Sequence, residues 1–233
     1  MISEISNCVY PIQQFNIYDG KLGVAISTGI LGFHCGICYK DLDKNQEYLL
    51  HLAFHFDLKN QNVSECENYY FVAPNLSELQ HELISARLIA LGMELPRIPY
   101  ALRYLNTCLT KEGCLKLGDG EWGMTCATFV LALFKSCGVA LCDVVTWPQR
   151  DEDENSHKNI VELLVEHKVR FKITQEHIEN VRKEVGCARF RPEEVAASVT
   201  FNPIPGLNND IIYRGKEIKE FILNCSNKKA GEN

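Results

Sequence analysis

The chain has 233 residues, 46% hydrophobic and 23% charged, with a formal net charge of −6. That length can bury a substantial core, as one large domain or as a domain with a helical extension. The acidic balance argues against a nucleic-acid binder, and no apolar run approaches the roughly 18 residues of a membrane span.

The N-terminal Met1-Ile2-Ser3-Glu4-Ile5 lacks the basic and apolar regions of a secretory signal. Residues 8–39 predict short strands broken by turns, with Asp19-Gly20 turning the chain between 15–18 and 22–26. Residues 33–39 and 48–56 predict two strands joined by the polar loop 41–47 into a hairpin, and 68–73 predicts another, ended by Pro74. A helix follows, capped by Ser77 or by Asn75 with Glu78. Leu79, Leu83, Leu88 and Leu91 form its apolar face, and Gly92 stops it. Pro96 and Pro99 mark a loop leading to residues 100–104.

Gly118, Gly120 and Gly123 then lead into an apolar helix that begins at Cys126. Phe129, Val130, Leu131, Leu133 and Phe134 leave it almost no polar face, so it should be buried; Lys135 and Gly138 mark its end. Residues 139–147 predict a strand closed by Pro148. Asp151-Glu152-Asp153-Glu154 reads as a solvated loop or a helix start. Amphipathic helices follow: one through Ile160, Val161, Leu164 and Val165, one through Ile178, Val181 and Val185, one opened by Pro192, and one over 217–223. A boundary near 150 divides the chain into 1–150 and a helical region 151–233 packed on it.

Eleven cysteines, an odd number, argue against a disulfide framework. Most, such as Cys8, Cys108, Cys137 and Cys187, read as small buried apolar residues of a reduced, cytoplasmic protein. Cys126 is different. At a helix start it feels the positive end of the macrodipole and unpaired backbone N–H groups, which favour the nucleophilic thiolate. His34, on a strand upstream, can serve as its base, giving a Cys–His dyad for nucleophilic catalysis. The Cys126 N–H is a natural donor to an oxyanion. Trp122 and Tyr39 read as packing. Cys35-Gly36-Ile37-Cys38 offers a redox motif or half a zinc site, but in a strand the two cysteines point to opposite faces. Phosphate-loop, zinc-helix and serine-elbow motifs are absent from the sequence, and no metal or organic cofactor is expected.

The stretch Gly32-Phe33-His34-Cys35-Gly36-Ile37-Cys38-Tyr39, the later His51-Leu52, and Cys126 with Phe129 and Val130 together resemble the permuted NlpC/P60 group of the papain-like superfamily. Within it they are closest to lecithin:retinol acyltransferase-like and YiiX-like proteins. The order His, His, Cys is the permuted one; Thr125 stands where the group often has Asn. The resemblance covers roughly residues 20–140 and implies an α+β papain-like fold, with a small antiparallel sheet packed on the nucleophile helix. It makes 1–150 a permuted catalytic domain. It further implies that Cys126 is the nucleophile, His34 the general base and His51 the group that orients it, in a cysteine peptidase or amidase acting on a peptide, amide or acyl-ester substrate through an acyl-enzyme. On strand alternation His51, Ala53 and His55 share one face and Leu50, Leu52, Phe54 and Phe56 the other, so His55 is an alternative to His51. Lipid acyl transfer or phospholipid cleavage, a thiol-redox role for Cys35 and Cys38, and a non-catalytic binding module remain open, as does the oligomeric state.

Overall fold

Alternating apolar residues build one antiparallel sheet from β1 (Val9–Pro11), β2 (Leu22–Gly29), β3 (Gly32–Asp41), β4 (Gln46–Phe54), β5 (Asp57–Asn62) and β6 (Tyr69–Val72). Its order is β1-β6-β2-β3-β4-β5. The computed structural model describes residues 5–29, 32–104, 109–110, 115–116 and 122–231; Gly118, Gly120 and Cys108 lie outside the described residues. β3 and β4 form the expected hairpin, with partners running from Asp41↔Gln46 to Ile37↔Leu50. β5, which the sequence reading missed, pairs along β4. Its sequence Asp-Leu-Lys-Asn-Gln-Asn is too polar to announce a strand. Residues 15–18 do not form the expected strand. The chain leaves β1 through a short 3-10 turn, and buried Phe15 drops into a small cluster with Ile12, Leu49 and Phe71.

The sheet has two apolar faces. Ala25, Cys38, Leu49 and Phe71 point to that small cluster, whereas Val24, Ile37, Tyr39, Leu50 and Leu52 belong to the main core. Six helices are described: α1 (Glu78–Glu94), α2 (Cys126–Ser136), α3 (Glu154–Glu166), α4 (Gln175–Arg182), α5 (Pro192–Ser198) and α6 (Asn208–Gly231). The architecture is α+β.

Ser77 caps α1 through a capping box with Gln80. Two details of α1 differ from expectation. Leu79 and Leu83 are 65% and 50% exposed, and the buried stripe is Ile84, Ser85, Leu88 and Leu91. Gly92 does not stop the helix, which ends with Leu95 in the left-handed conformation. Gly92 instead provides close approach: a Cβ there would lie 2.5 Å from the Asn60 amide nitrogen and 2.6 Å from the Tyr39 hydroxyl.

α2 is buried from Cys126 to Phe134, as its composition requires, and packs on β3, β4 and α5. The main core continues through Phe190, Val195, Ala196 and Ala197 to Ile211, Ile218 and Ile222 of α6. Residues after 150 therefore share the core that holds Cys126. α3 and α4 build a separate cluster with Ala101 and Leu102.

The predicted strand at 139–147 is a loop. Side chains supply the hydrogen bonds a ladder would have made: Asn208 donates to the Asp143 carbonyl at 2.9 Å, and the Asp143 carboxylate accepts from the Val145 N–H and the Thr146 hydroxyl. The acidic run 151–154 is only partly solvated. Asp153 is 1% exposed because Arg150 and Arg191 each donate to it at 2.9 Å, and Arg150 also holds buried Glu194. Among the described residues no helix is long and apolar enough to cross a membrane.

Candidate active site

Thr125 decides where α2 begins. Its backbone is extended, its hydroxyl accepts the Thr128 N–H at 3.2 Å, and the Thr128 hydroxyl accepts the Thr125 N–H at 2.7 Å. Threonine is a good N-cap, and this reciprocal box makes Cys126 the first residue of the helix. The preceding strand of chain is pinned as well: Met124 donates to the Pro99 carbonyl at 2.9 Å, and Ala101 donates back to Met124. This brings Tyr100 beside Cys126.

His34 and His51 lie on β3 and β4 beyond the last ladder partners, Ile37↔Leu50. Gly36 is what lets them meet, because a Cβ at that position would lie 2.6 Å from the His51 Cβ and 2.7 Å from the Leu50 carbonyl oxygen. His34 Nε2 stands 2.7 Å from His51 Nδ1, and His51 Nε2 stands 2.8 Å from Gln61 Oε1. The directions of these bonds follow. The Gln61 carbonyl only accepts, so His51 carries its proton on Nε2. Its bare Nδ1 then accepts from His34 Nε2–H, and His34 Nδ1 is left as the nitrogen that can take a proton.

The charges agree with this arrangement. Burial, the neighbouring His34 and Lys59 push the His51 pKa down to about 4, so it stays neutral. Burial also opposes a charged His34, but the charge and hydrogen bond of Cys126 outweigh it and raise the His34 pKa. The Cys126 thiol is held well below its ordinary value by a hydrogen bond from Cys35, and by the charge and hydrogen bond of His34, against the cost of burial. Cys35 moves the opposite way, raised by burial and by the Cys126 thiolate it serves. Burial and the Cys126 charge likewise raise the Tyr100 phenol, whose oxygen accepts a backbone hydrogen bond from Cys126.

Cys126 and His34 line a cavity of about 280 Å³ together with Phe54, Tyr100, Ile160, Arg189 and Phe190. Three of the residues singled out from sequence thus come together: Cys126, His34 and His51. His55 does not join them. It is buried on the far side of Tyr100, accepting the Tyr100 N–H at 3.2 Å with its ring 4.6 Å from that of His177. The strand ends at Phe54 and the chain turns through Phe56 (φ 57°), so the alternation that put His55 on the His51 face stops short of it. Trp122 packs in the main core rather than lining the cavity, and the Tyr39 hydroxyl donates to Asn60. Cys35 and Cys38 are divided between the two sides of the sheet, and Cys38 donates to the Gly23 carbonyl. Among the described residues no group of three or more His, Cys, Asp or Glu side chains is arranged to hold a metal ion.

Sequence reading missed Gln61, Tyr100 and the part played by Cys35. Gln61 sits in the polar strand β5, where nothing local marks it. Tyr100 had a faint signal, an aromatic directly after a proline-bounded loop. Comparison with known proteins finds nothing similar: no family model, no curated relative and no solved structure matches this chain.

Proposed function

We propose that this chain is a cysteine hydrolase of permuted papain-like, NlpC/P60-type architecture, cleaving an amide, isopeptide or ester bond through an acyl-enzyme at Cys126. The observation that carries the reading is the line Gln61–His51–His34, with 2.8 and 2.7 Å hydrogen bonds, ending at a thiol on the first residue of a buried helix. A structural cysteine needs no such line. In the proposed mechanism His34 Nδ1 takes the thiol proton. Cys126 Sγ then bonds to the substrate carbonyl carbon, and the carbonyl oxygen becomes an oxyanion facing the Tyr100 hydroxyl, whose own oxygen is held by the Cys126 N–H. The bond to the leaving group breaks as His34 returns the proton to it. Water, deprotonated by His34, attacks the thioester; the C–S bond breaks and the thiolate re-forms. His51 stays neutral throughout and keeps the His34 ring in one tautomer and orientation.

A nitrophenyl ester tests the reading. A burst of nitrophenolate stoichiometric with protein, with the acyl group found on Cys126 by mass spectrometry and lost in Cys126→Ala, is the expected result. Release with no burst and no acyl-cysteine, or with the acyl group on another residue, overturns it and leaves the fold as a binding module.

A further inference from the structure

The cavity before Cys126 is lined mainly by apolar groups, among them Phe54, Leu102, Ile160, Leu163 and Phe190. Apart from the His34–Cys126 pair, among the described residues one charged side chain interrupts them. Arg189 lines this cavity and also the adjoining recess, where Arg191, Lys219, Glu152, Asp153 and Glu193 gather. The ionic partners of the neighbouring arginines are close. Asp153 accepts Arg150 Nε at 2.9 Å and Arg191 Nε and Nη2 at 2.9 and 2.8 Å. Arg150 also grips Glu194, and Arg191 reaches Glu152 at 2.6 Å. Arg189 has only the leftover: among the described residues its guanidinium makes one hydrogen bond or ion pair, to Asp153 at 3.4 Å, and its side chain is 26% exposed. A guanidinium presents five donors in a planar fork that matches a carboxylate, so among the described residues most of this one's donors are left without a partner, in the cavity it lines with Cys126 and His34.

We infer that the substrate carries an apolar group next to the scissile carbonyl and a carboxylate held by Arg189, the chemistry of an N-acyl amino acid. This rests on the hydrolase reading and names its substrate class. Two further features narrow it. A cavity of about 280 Å³ lies at the small end of ligand sites, which suits a compact acyl group. The carboxylates of Glu152, Asp153 and Glu193 in the recess leave room for a monoanion and oppose a dianion such as a phosphate monoester. Cleavage follows the steps above: the amide C–N bond breaks, the amine of the amino acid departs with the His34 proton, and water releases the acyl group as a free acid.

The test measures how small molecules protect Cys126 from iodoacetamide, and therefore does not require turnover. N-phenylacetylleucine should protect at concentrations at least tenfold below its carboxamide. The gap should collapse in Arg189→Gln and return in part in Arg189→Lys, with folding of both variants checked by thermal melting. Equal protection by the acid and the amide in the wild-type protein overturns the inference, even if a variant fails to fold. So does a gap that survives in Arg189→Gln, or stronger protection by the dianion phenylphosphonate. If N-phenylacetylleucine protects through Arg189 but the nitrophenyl ester leaves no acyl group on Cys126, the anion site stands and the hydrolase reading falls. If Cys126 acylates, N-phenylacetylleucine should be hydrolysed faster than its carboxamide, and equal rates count against the assignment.

Discussion

Replacing His34 with alanine removes the cation that pairs with the Cys126 thiolate and leaves the other two sources of stabilisation, the Cys35 hydrogen bond and the start of α2, in place. An imidazolium and a thiolate about 4 Å apart attract by about 4 kcal/mol at an effective dielectric constant of about 20. Well below the Cys126 pKa, where the thiolate is the minor form in both proteins, losing that attraction cuts its population about a thousandfold, while the more basic thiolate regains about thirtyfold in intrinsic reactivity. The net expectation is a roughly thirtyfold slower alkylation of Cys126 there. The assay is site-resolved iodoacetamide labelling of native protein from pH 5 to 9. Wild-type labelling should rise with pH around a depressed pKa and then level; the His34→Ala profile should be displaced to higher pH. Amide cleavage should behave differently, because it also needs protonated His34: it should be bell-shaped, with the lower limb set by Cys126 and the upper limb by the raised His34 pKa. A His34→Ala protein that alkylates as fast as wild type at pH 6 would refute the reasoning, since Cys35 and the helix would then hold the thiolate alone.

Three further outcomes are expected. His51 has a folded pKa of about 4 against an unfolded value of about 6.5, so the unfolded chain binds more protons between these limits and stability falls as pH drops through them. The loss is on the order of 3 kcal/mol, and His51→Gln should flatten that part of the urea-denaturation profile; an unchanged slope would rule out a neutral buried His51. Asp153→Asn, which leaves Arg150 and Arg191 facing a neutral group in a buried network, should cost about 3–5 kcal/mol in urea denaturation, whereas a solvated acidic run would lose almost nothing. Gly92→Ala separates helix propensity from packing. Propensity alone predicts a gain of about 1 kcal/mol, but the new Cβ would meet Tyr39 and Asn60 at 2.6 and 2.5 Å, and overpacking costs about 1–3 kcal/mol, so chemical denaturation should show a net loss.

Where local chemistry governs the chain, the sequence was legible. The β3–β4 hairpin, β6, the buried α2 with Gly138 at positive φ past its end, and Pro192 at the start of α5 all follow from alternation, capping or punctuation. The elements that escaped are those fixed by distant partners. β5 is a polar edge strand that exists because β4 offers it a ladder. Residues 139–147 look β-prone but are bound by Asn208, far along the chain. Gly92 carries the sequence signal of a helix stop, yet it is a packing contact across three elements. The same division holds at the site. Cys126 and His34 carry local context that can be recognised, and His51 follows from strand order. His55 was the alternative that strand alternation allowed, and the end of β4 at Phe54 takes it off that face. Gln61 and Tyr100 depend on β5 pairing with β4 and on the bonds between residue 124 and residues 99 and 101, neither of which leaves a trace in a one-dimensional pattern.

The cavity wall has a mixed ancestry along the chain. The thiol, both imidazoles, Gln61 and Tyr100 all fall within the first 126 residues, whereas Ile160, Leu163, Arg189, Phe190 and Pro192 come from the region after 150. On the proposed reading, the bond-breaking groups come from the first stretch alone, while the wall that admits a substrate draws on both, since Phe54 and Leu102 line it beside the later residues. Changes in the later stretch can retune what enters without touching a proton-carrying atom, so related chains could diverge in diet while keeping one chemistry. The limit on that freedom is α5, whose seven residues are all buried and which packs on the helix that carries Cys126.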